Sequence, residues 1–528
     1  MRITPRIAAV AAVAGLLWLP VPARAEGDLS QAPYRAGFRV IEAFDASRPY
    51  FPKGTAGGPS LRGRPLQIAL WYPISPESSG DTLSFGAYAS LIGREIRFGV
   101  PQDEAEAAAR AALKRLLAPT YVPALSEEDL DRLWAAPMQA IAHAQAAAGS
   151  FPLVLWAKGE DGHAVDHAVL GELLARHGYV LASTPALPAH SRRVGRYDAL
   201  SVRTQLRDLE FVLQRLAAEP GVDLDRLGVI GWSLGGLPAA LLEMRHPDIG
   251  ALISLDARTG YRNPPEIFRR HPDYELRRAT APRLHLTGTG EPEVDRLKDG
   301  SFRNALRYAD LYYLVLENLR HRDFNFLWGS VIDASGLRGS WPVPPAEISE
   351  RIGFLALLFL DSTLGREPSR RKRLLAEVER ASSTPGGAAS EFRAALPAPP
   401  TSDEFLWLLD HSGAAAATAA LRRAREHDPG IEVAPADDLL RRCRDHLRRR
   451  ELDEAAAVAR LTLEAHPASA LSHYLLAQIA GLQGDGAAAR EHYRRCQDAL
   501  AGDGSLSEAM RERLRRDIDR RLADADGG

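Results

Sequence analysis

From Gly37 the chain alternates or clusters apolar residues in strand fashion, first in GFRVIEAFDAS and then in RPLQIALWYP, with the turn-rich stretch PKGTAGGPSLRG between them. These segments predict the first two strands of a sheet. Between about 102 and 148 the pattern becomes Ala-rich with a helical period, and Ser126 and Asp129 are spaced as a capping box ahead of LWAAPMQAIAHA, so a helical insertion is expected there. From 151 the periods alternate: PLVLWA (strand), HAVLGELLARHG (helix), YVLAST (strand), SVRTQLRDLEFVLQRLAAE (helix), RLGVIG (strand) and a helix-compatible GLPAALLEM. ALISLD, RLHLTG and LYYLVLE add three further strand-like runs, and a helix around 347 to 362 closes the pattern. Strands alternating with helices predict an α/β fold, a doubly wound and mostly parallel sheet covered on both faces. Catalytic groups in such a sheet belong at the carboxyl ends of its strands.

Residues 383 to 401 are rich in Pro, Gly, Ser and Ala and read as a linker. Beyond it the periodicity is helical to the end and repeats, with Leu452 to Pro467 matching Gly486 to Leu500 at an offset of 34 residues. The second copy carries Leu476, Ala477, Gly484, Ala489 and Tyr493 where tetratricopeptide repeats place their packing residues, and this all-α region resembles that family. Such helices stack and present a concave surface suited to a protein partner. The expected organisation is therefore 1–25, a signal peptide; 30–366, the α/β domain; 367–401, a helix and linker; and 402–528, the helical domain. The signal reading rests on Arg2 and Arg6, an apolar stretch from Ile7 to Leu19, and Ala23-Arg24-Ala25 at the cleavage position. It implies export, to a periplasm or out of the cell.

A net charge of −2 gives no reason to expect nucleic acid as a partner. Cys443 and Cys496 are the two cysteines, too few for a disulfide framework or a cysteine metal cluster, and they read either as a bonded pair or as two small buried side chains. His163 and His167 stand four apart with Asp166 between them, but no third ligand is evident, so helix-surface histidines are expected rather than a metal site. No glycine-rich phosphate loop or dinucleotide fingerprint is present, and no cofactor is implied.

The chemistry concentrates in Gly231-Trp232-Ser233-Leu234-Gly235, between an apolar strand and a helix. A serine at such a strand-to-helix turn is exposed at the top of the sheet, and the N–H of the next residue, Leu234, faces the place where an oxyanion forms. A serine hydroxyl needs a histidine to take its proton and a carboxylate to orient that histidine, and in this kind of sheet the chain order is serine, acid, histidine. Beyond Ser233 and its own helix, the sheet domain offers His271 in a charged loop, His285 inside an apolar strand, and His321 just past the last strand, which makes His321 the expected base. For the acid, Asp256 ends one strand, while Glu291, Glu293 and Asp295 follow the next. Placement alone leaves both open and leans to the later strand.

From about Pro152 to Asn325 the features PLVLWAKG with ELLARHGYVLAS, RLGVIGWSLGG, ALISLDA, and a histidine followed by aromatics (His321, Phe324, Phe326) resemble the platelet-activating-factor acetylhydrolase and dienelactone-hydrolase-like branch of the α/β-hydrolases. The resemblance implies that Asp256 is the acid and that a second oxyanion donor is the N–H of Glu160. In that loop, Lys158-Gly159-Glu160-Asp161-Gly162, a lysine and acids replace the expected residues, and a carboxylate beside an oxyanion must turn away or pair with Lys158. The implied activity is hydrolysis of short-chain acyl or phospholipid-like esters through an acyl-enzyme. A hydrolase fold serving as an interaction platform, or a peptidase or acyltransferase with the same triad, is the alternative.

Overall fold

The computed structural model describes residues 31–50, 63–117, 122, 125–189, 198–262, 265–324, 331–337, 339, 341, 343–383 and 390–526. The expected signal peptide and Phe326 lie outside them. Eleven strands form one sheet: β1 (Arg35–Asp45), β2 (Arg64–Ile74), β3 (Thr82–Ser84), β4 (Pro137–Ala142), β5 (Phe151–Ala157), β6 (Val180–Ser183), β7 (Val222–Trp232), β8 (Ile249–Leu255), β9 (Arg283–Gly288), β10 (Leu311–Leu316) and β11 (Glu391–Arg393). Their order is β11-β10-β9-β8-β7-β5-β6-β2-β1-β4-β3. The run from β10 to β6 is parallel, while β2 pairs antiparallel with both β6 and β1. Every residue of β2 and β5 is buried, as strands covered on both faces require.

Helices α1 (Gln102–Leu117), α2 (Glu127–Ala135), α3 (Ala168–Arg176), α4 (Ala199–Leu216), α5 (Gly236–Arg245), α6 (Pro345–Thr363) and α7 (Pro368–Ser382) accompany the sheet. On one face, Leu170 and Leu174 of α3 pack with Ile352 and Phe359 of α6 against Val154, Ile230 and Ile253. On the other, Leu206 and Leu209 of α4 and Leu237 and Leu241 of α5 cover Leu155, Val229 and Leu252. Two layers of apolar side chains, one per face, thus clamp the parallel strands. This is an α/β architecture with a doubly wound, mostly parallel sheet, and an all-α region follows it.

Two expectations are corrected. The capping box at Ser126 and Asp129 starts α2, but the helix stops at Ala135, and Pro137–Ala142 is strand β4, paired parallel with β1. Pro137 cannot supply a helical N–H and biases Ala136 away from the α region, which leaves the alternating burial of 137–140 free to join the sheet. Within the segment expected as linker, Glu391–Arg393 is an edge strand antiparallel to β10. Phe392 packs on Tyr312, and Arg393 donates to the carbonyl of Leu306.

The helical region comprises α8 (Ser402–His427), α9 (Ala436–Arg448), α10 (Leu452–Ala465), α11 (Ala470–Leu482), α12 (Gly486–Ala499) and α13 (Glu508–Asp526). α8 is broken at Gly413, whose φ of 80° no helix accommodates. Helices α9 and α11, and likewise α10 and α12, begin 34 positions apart. Cys443 and Cys496 are unbonded and sit in two separate apolar clusters, so the reading as small buried side chains holds.

Candidate active site

β7 ends at Trp232, and a single 3-10 turn (Ser233–Gly235) leads into α5. Ser233 has φ of 52°, a left-handed conformation costly for any residue with a Cβ. The chain reverses so tightly that a Cβ on Gly231 would lie 2.7 Å from Gly236 Cα, and one on Gly235 would run into the carbonyl of Ala157. The flanking glycines are therefore required by close approach of backbone. The N–H of Leu234 falls in the 3-10 turn just ahead of α5, where backbone donors have no helical acceptor.

His321 begins a short turn after β10, and its Nε2 lies 2.8 Å from Ser233 Oγ. Its Nδ1 lies 2.7 Å from Asp256 Oδ2. Asp256 follows β8 with φ of 39° and is 1% exposed. Three strand ends thus bring together Ser233, Asp256 and His321 in chain order. Trp232 stacks over the imidazole with ring centroids 5.7 Å apart.

The carboxylate of Asp256 is heavily supported. Oδ1 accepts from Thr287 Oγ1 (2.7 Å) and from Lys298 Nζ (2.9 Å), and Oδ2 also accepts from Tyr261 Oη (3.0 Å). Burial disfavours its charge, but the hydrogen bonds and positive charge of His321 and Lys298 prevail and hold its pKa well below the usual carboxylate range. The later acids take other places. Glu291 accepts the backbone N–H of His321 at 2.9 Å, not its ring, and Asp295 pairs with Lys298 at 2.9 Å. His285 is buried against Tyr313, and burial pushes its pKa down to about 3, so it stays a neutral core residue. His271 lies beside Asp273 and away from the three. Lys298, Tyr261 and Thr287 carried no sequence signal, since each lies in an ordinary loop or strand pattern.

Glu160 and Asp161 form the tip of a turn closed by Gly162 N–H to the Gly159 carbonyl at 3.2 Å, and Asp161 has φ of 57°. Both line a cavity of about 320 Å³ with Ser233, His321, Arg258 and Arg322. Burial and the neighbouring Asp161 raise the pKa of Glu160, and Arg258 opposes them. Lys158 does not pair with Glu160. It is 1% exposed, its Nζ lies 3.3 Å from His167 Nδ1, and burial pushes its pKa down to about 8 against the pull of Asp166 and Glu95. The charge that offsets Glu160 comes instead from Arg258.

The expectation of helix-surface histidines is also corrected. His163 precedes α3 and bonds Glu95 at 3.0 Å, while His167 is fully buried and stacks on Trp156 with centroids 3.8 Å apart. Among the described residues no cluster of three or more His, Cys, Asp or Glu is arranged to hold a metal ion.

No protein-family model and no curated protein matches the chain. Among solved structures the chain is similar to a ferulic acid esterase from Streptomyces cinnamoneus, with 21% identity, 64% of this chain and 92% of that chain covered, and a TM-score of 0.43.

Proposed function

We propose that the protein is a serine hydrolase acting on carboxylic esters through an acyl-enzyme, with Ser233 as nucleophile, His321 as base and Asp256 as the group that orients it. The observation that carries this reading is the continuous relay from Ser233 Oγ to His321 Nε2 (2.8 Å) and from His321 Nδ1 to Asp256 (2.7 Å), with the serine on a strained turn. Ser233 Oγ attacks the ester carbonyl while its proton passes to His321 Nε2. The resulting oxyanion is held by the N–H groups of Leu234 and Glu160. As the C–O bond to the alcohol breaks, His321 returns that proton to the leaving oxygen. Water then attacks the acyl-serine, giving one proton to His321. The bond to Ser233 breaks, the serine regains the proton, and the carboxylic acid departs.

The sequence resemblance points to short-chain acyl or phospholipid-like esters. Export, resting on residues 1–25, and a protein partner for α9 to α12 belong to the same proposal. A second reading, a hydrolase fold serving as an interaction platform, is favoured by one observation: Glu160 and Asp161 put two acids at the mouth of the oxyanion loop. Labelling with a fluorophosphonate probe decides between them. The folded wild type is expected to label and Ser233→Ala to remain unlabelled, whereas a folded but unlabelled wild type supports the platform.

A further inference from the structure

A second cavity, of about 530 Å³, adjoins the one at Ser233 and shares Leu116, Asp161, Gly162 and His163 with it. One wall is a single face of α1, with Ala108, Ala111, Ala112 and Leu116 at helical spacing. Alanines at three of those positions, of which Ala112 is buried and Ala111 exposed, leave open space that larger residues would fill. Ile92 and Ile96 close one side, and Leu187 and Pro188 the other.

Arg115 and Asp161 line its exposed rim, whereas the less exposed Glu95 and His163 are paired with each other. Glu95 accepts from the backbone N–H of Ala164 at 3.1 Å and pairs with His163 at 3.0 Å, so an apolar occupant strands neither group. The chamber meets the catalytic cavity on the side of the oxyanion loop, and neither Ser233, His321 nor Trp232 lines it. That orientation matters for an ester. The leaving alcohol must face His321, which protonates it, so a chamber that His321 does not line suits the acyl substituent and not the alcohol.

We infer that this chamber is an acyl-binding site for linear chains of about six to ten carbons, which at about 30 Å³ per carbon take up roughly 180 to 300 Å³ of a space of about 530 Å³ that is open on one side. The inference rests on the hydrolase reading above and departs from the short acyl chain that the sequence resemblance implies. Ala108 and Ala111 act as specificity-determining residues, because their small size keeps the chamber open.

The test measures kcat/KM for p-nitrophenyl esters from acetate to dodecanoate, with fluorophosphonate labelling of every protein. In the wild type, kcat/KM is expected to rise by about two- to fourfold per added methylene up to about eight carbons, then level or fall. Ala111→Trp and Ala108→Phe, which fill the chamber from a partly exposed helix face, are expected to lower the octanoate-to-acetate ratio by about tenfold or more. Ala107→Trp, on the same helix but outside the chamber, is expected to keep the wild-type ratio. A labelled wild type that prefers acetate, or an Ala111→Trp variant that keeps the ratio, overturns the inference and leaves the hydrolase reading standing. A folded wild type without labelling overturns both.

Discussion

Lys298 is the informative perturbation, because it brings a permanent cation against the far oxygen of the acid that orients His321. Its Nζ lies 2.9 Å from Asp256 Oδ1, while the imidazole bonds Oδ2 at 2.7 Å. Burial disfavours the ammonium, but Asp256 and Asp295 more than offset this and raise its pKa, so it stays charged across the working range. An ammonium there opposes protonation of the imidazole. With contacts on opposite oxygens the two cations are about 6 Å apart, and at an effective dielectric constant of about 20 or higher their repulsion is at most about 3 kcal/mol. Removing it in Lys298→Met makes the imidazolium easier to form. Because the neutral ring is the base, the acid limb of kcat/KM is expected to move to higher pH. Asp295, left without its partner, pushes in the same direction. Glu291 at the His321 backbone and Arg258 and Arg322 in the cavity are unchanged by the substitution. Lys298→Arg keeps the charge and is expected to keep the limb. The assay is a pH–rate profile on a soluble ester, and a limb that stays put or moves to lower pH in Lys298→Met refutes the reasoning.

Other consequences follow from the same contacts. Burial lowers the pKa of His163, but Glu95 outweighs it and raises the value to about 9, so this pair stabilises the fold fully below about pH 6.5 and its contribution is lost as pH rises through about 9. The Tm gap between wild type and Glu95→Gln should therefore narrow over that window, and a gap that widens contradicts the pairing. Arg64 is 2% exposed and grips both oxygens of Asp208 at 2.8 and 2.7 Å, joining β2 to α4. Arg64→Met is expected to cost about 3 kcal/mol in urea unfolding, since it leaves a buried carboxylate with Arg48 alone. A Cβ at position 159 would lie 2.5 Å from the Trp232 ring, which stacks on His321, so Gly159→Ala should lower kcat/KM by about a hundredfold through misplacement of the base. Retention of full activity would show that the ring moves freely. Burial pushes the Cys443 and Cys496 thiols up to about 11 and about 12, so neither should react with Ellman's reagent at pH 8 until the protein unfolds.

Most of the sheet was legible because buried parallel strands are written as short apolar runs between helical periods. RLGVIG, ALISLD and LYYLVLE all read as strands, and they form β7, β8 and β10. What escaped were elements defined by partners distant in sequence. β4 contains too few residues to overrule the helical period before it, and only its pairing with β1 and β3 reveals it. β11 is three residues long and is held by Phe392 against Tyr312, a contact no local pattern announces. Similarly, the spacing of His163 and His167 suggested one helix face, yet α3 begins only after His167, so their separation carried no helical meaning.

The site divides along the same line. Ser233 was readable because its constraint is local: a left-handed φ and close backbone approach demand small neighbours within the same five residues. Asp256 is held in an equally unusual conformation, but the single-chain pattern around it resembles any strand end, and choosing it over Glu291 needed resemblance to a known family. The physical reason for the choice lies in long-range contacts. Thr287, Lys298 and Tyr261 converge on Asp256 from three segments and stabilise its charge, whereas Glu291 is occupied by a backbone N–H of His321. An acid that orients a base must stay ionised when that base becomes a cation and also when it is neutral. Four donors besides the histidine, from Thr287, Lys298, Tyr261 and the Gly288 N–H, meet the second condition, while the hydrogen bond and charge of His321 serve the first. Because that support persists when the ring is neutral, altering Lys298 should move a pH limb, and not simply reduce activity at every pH.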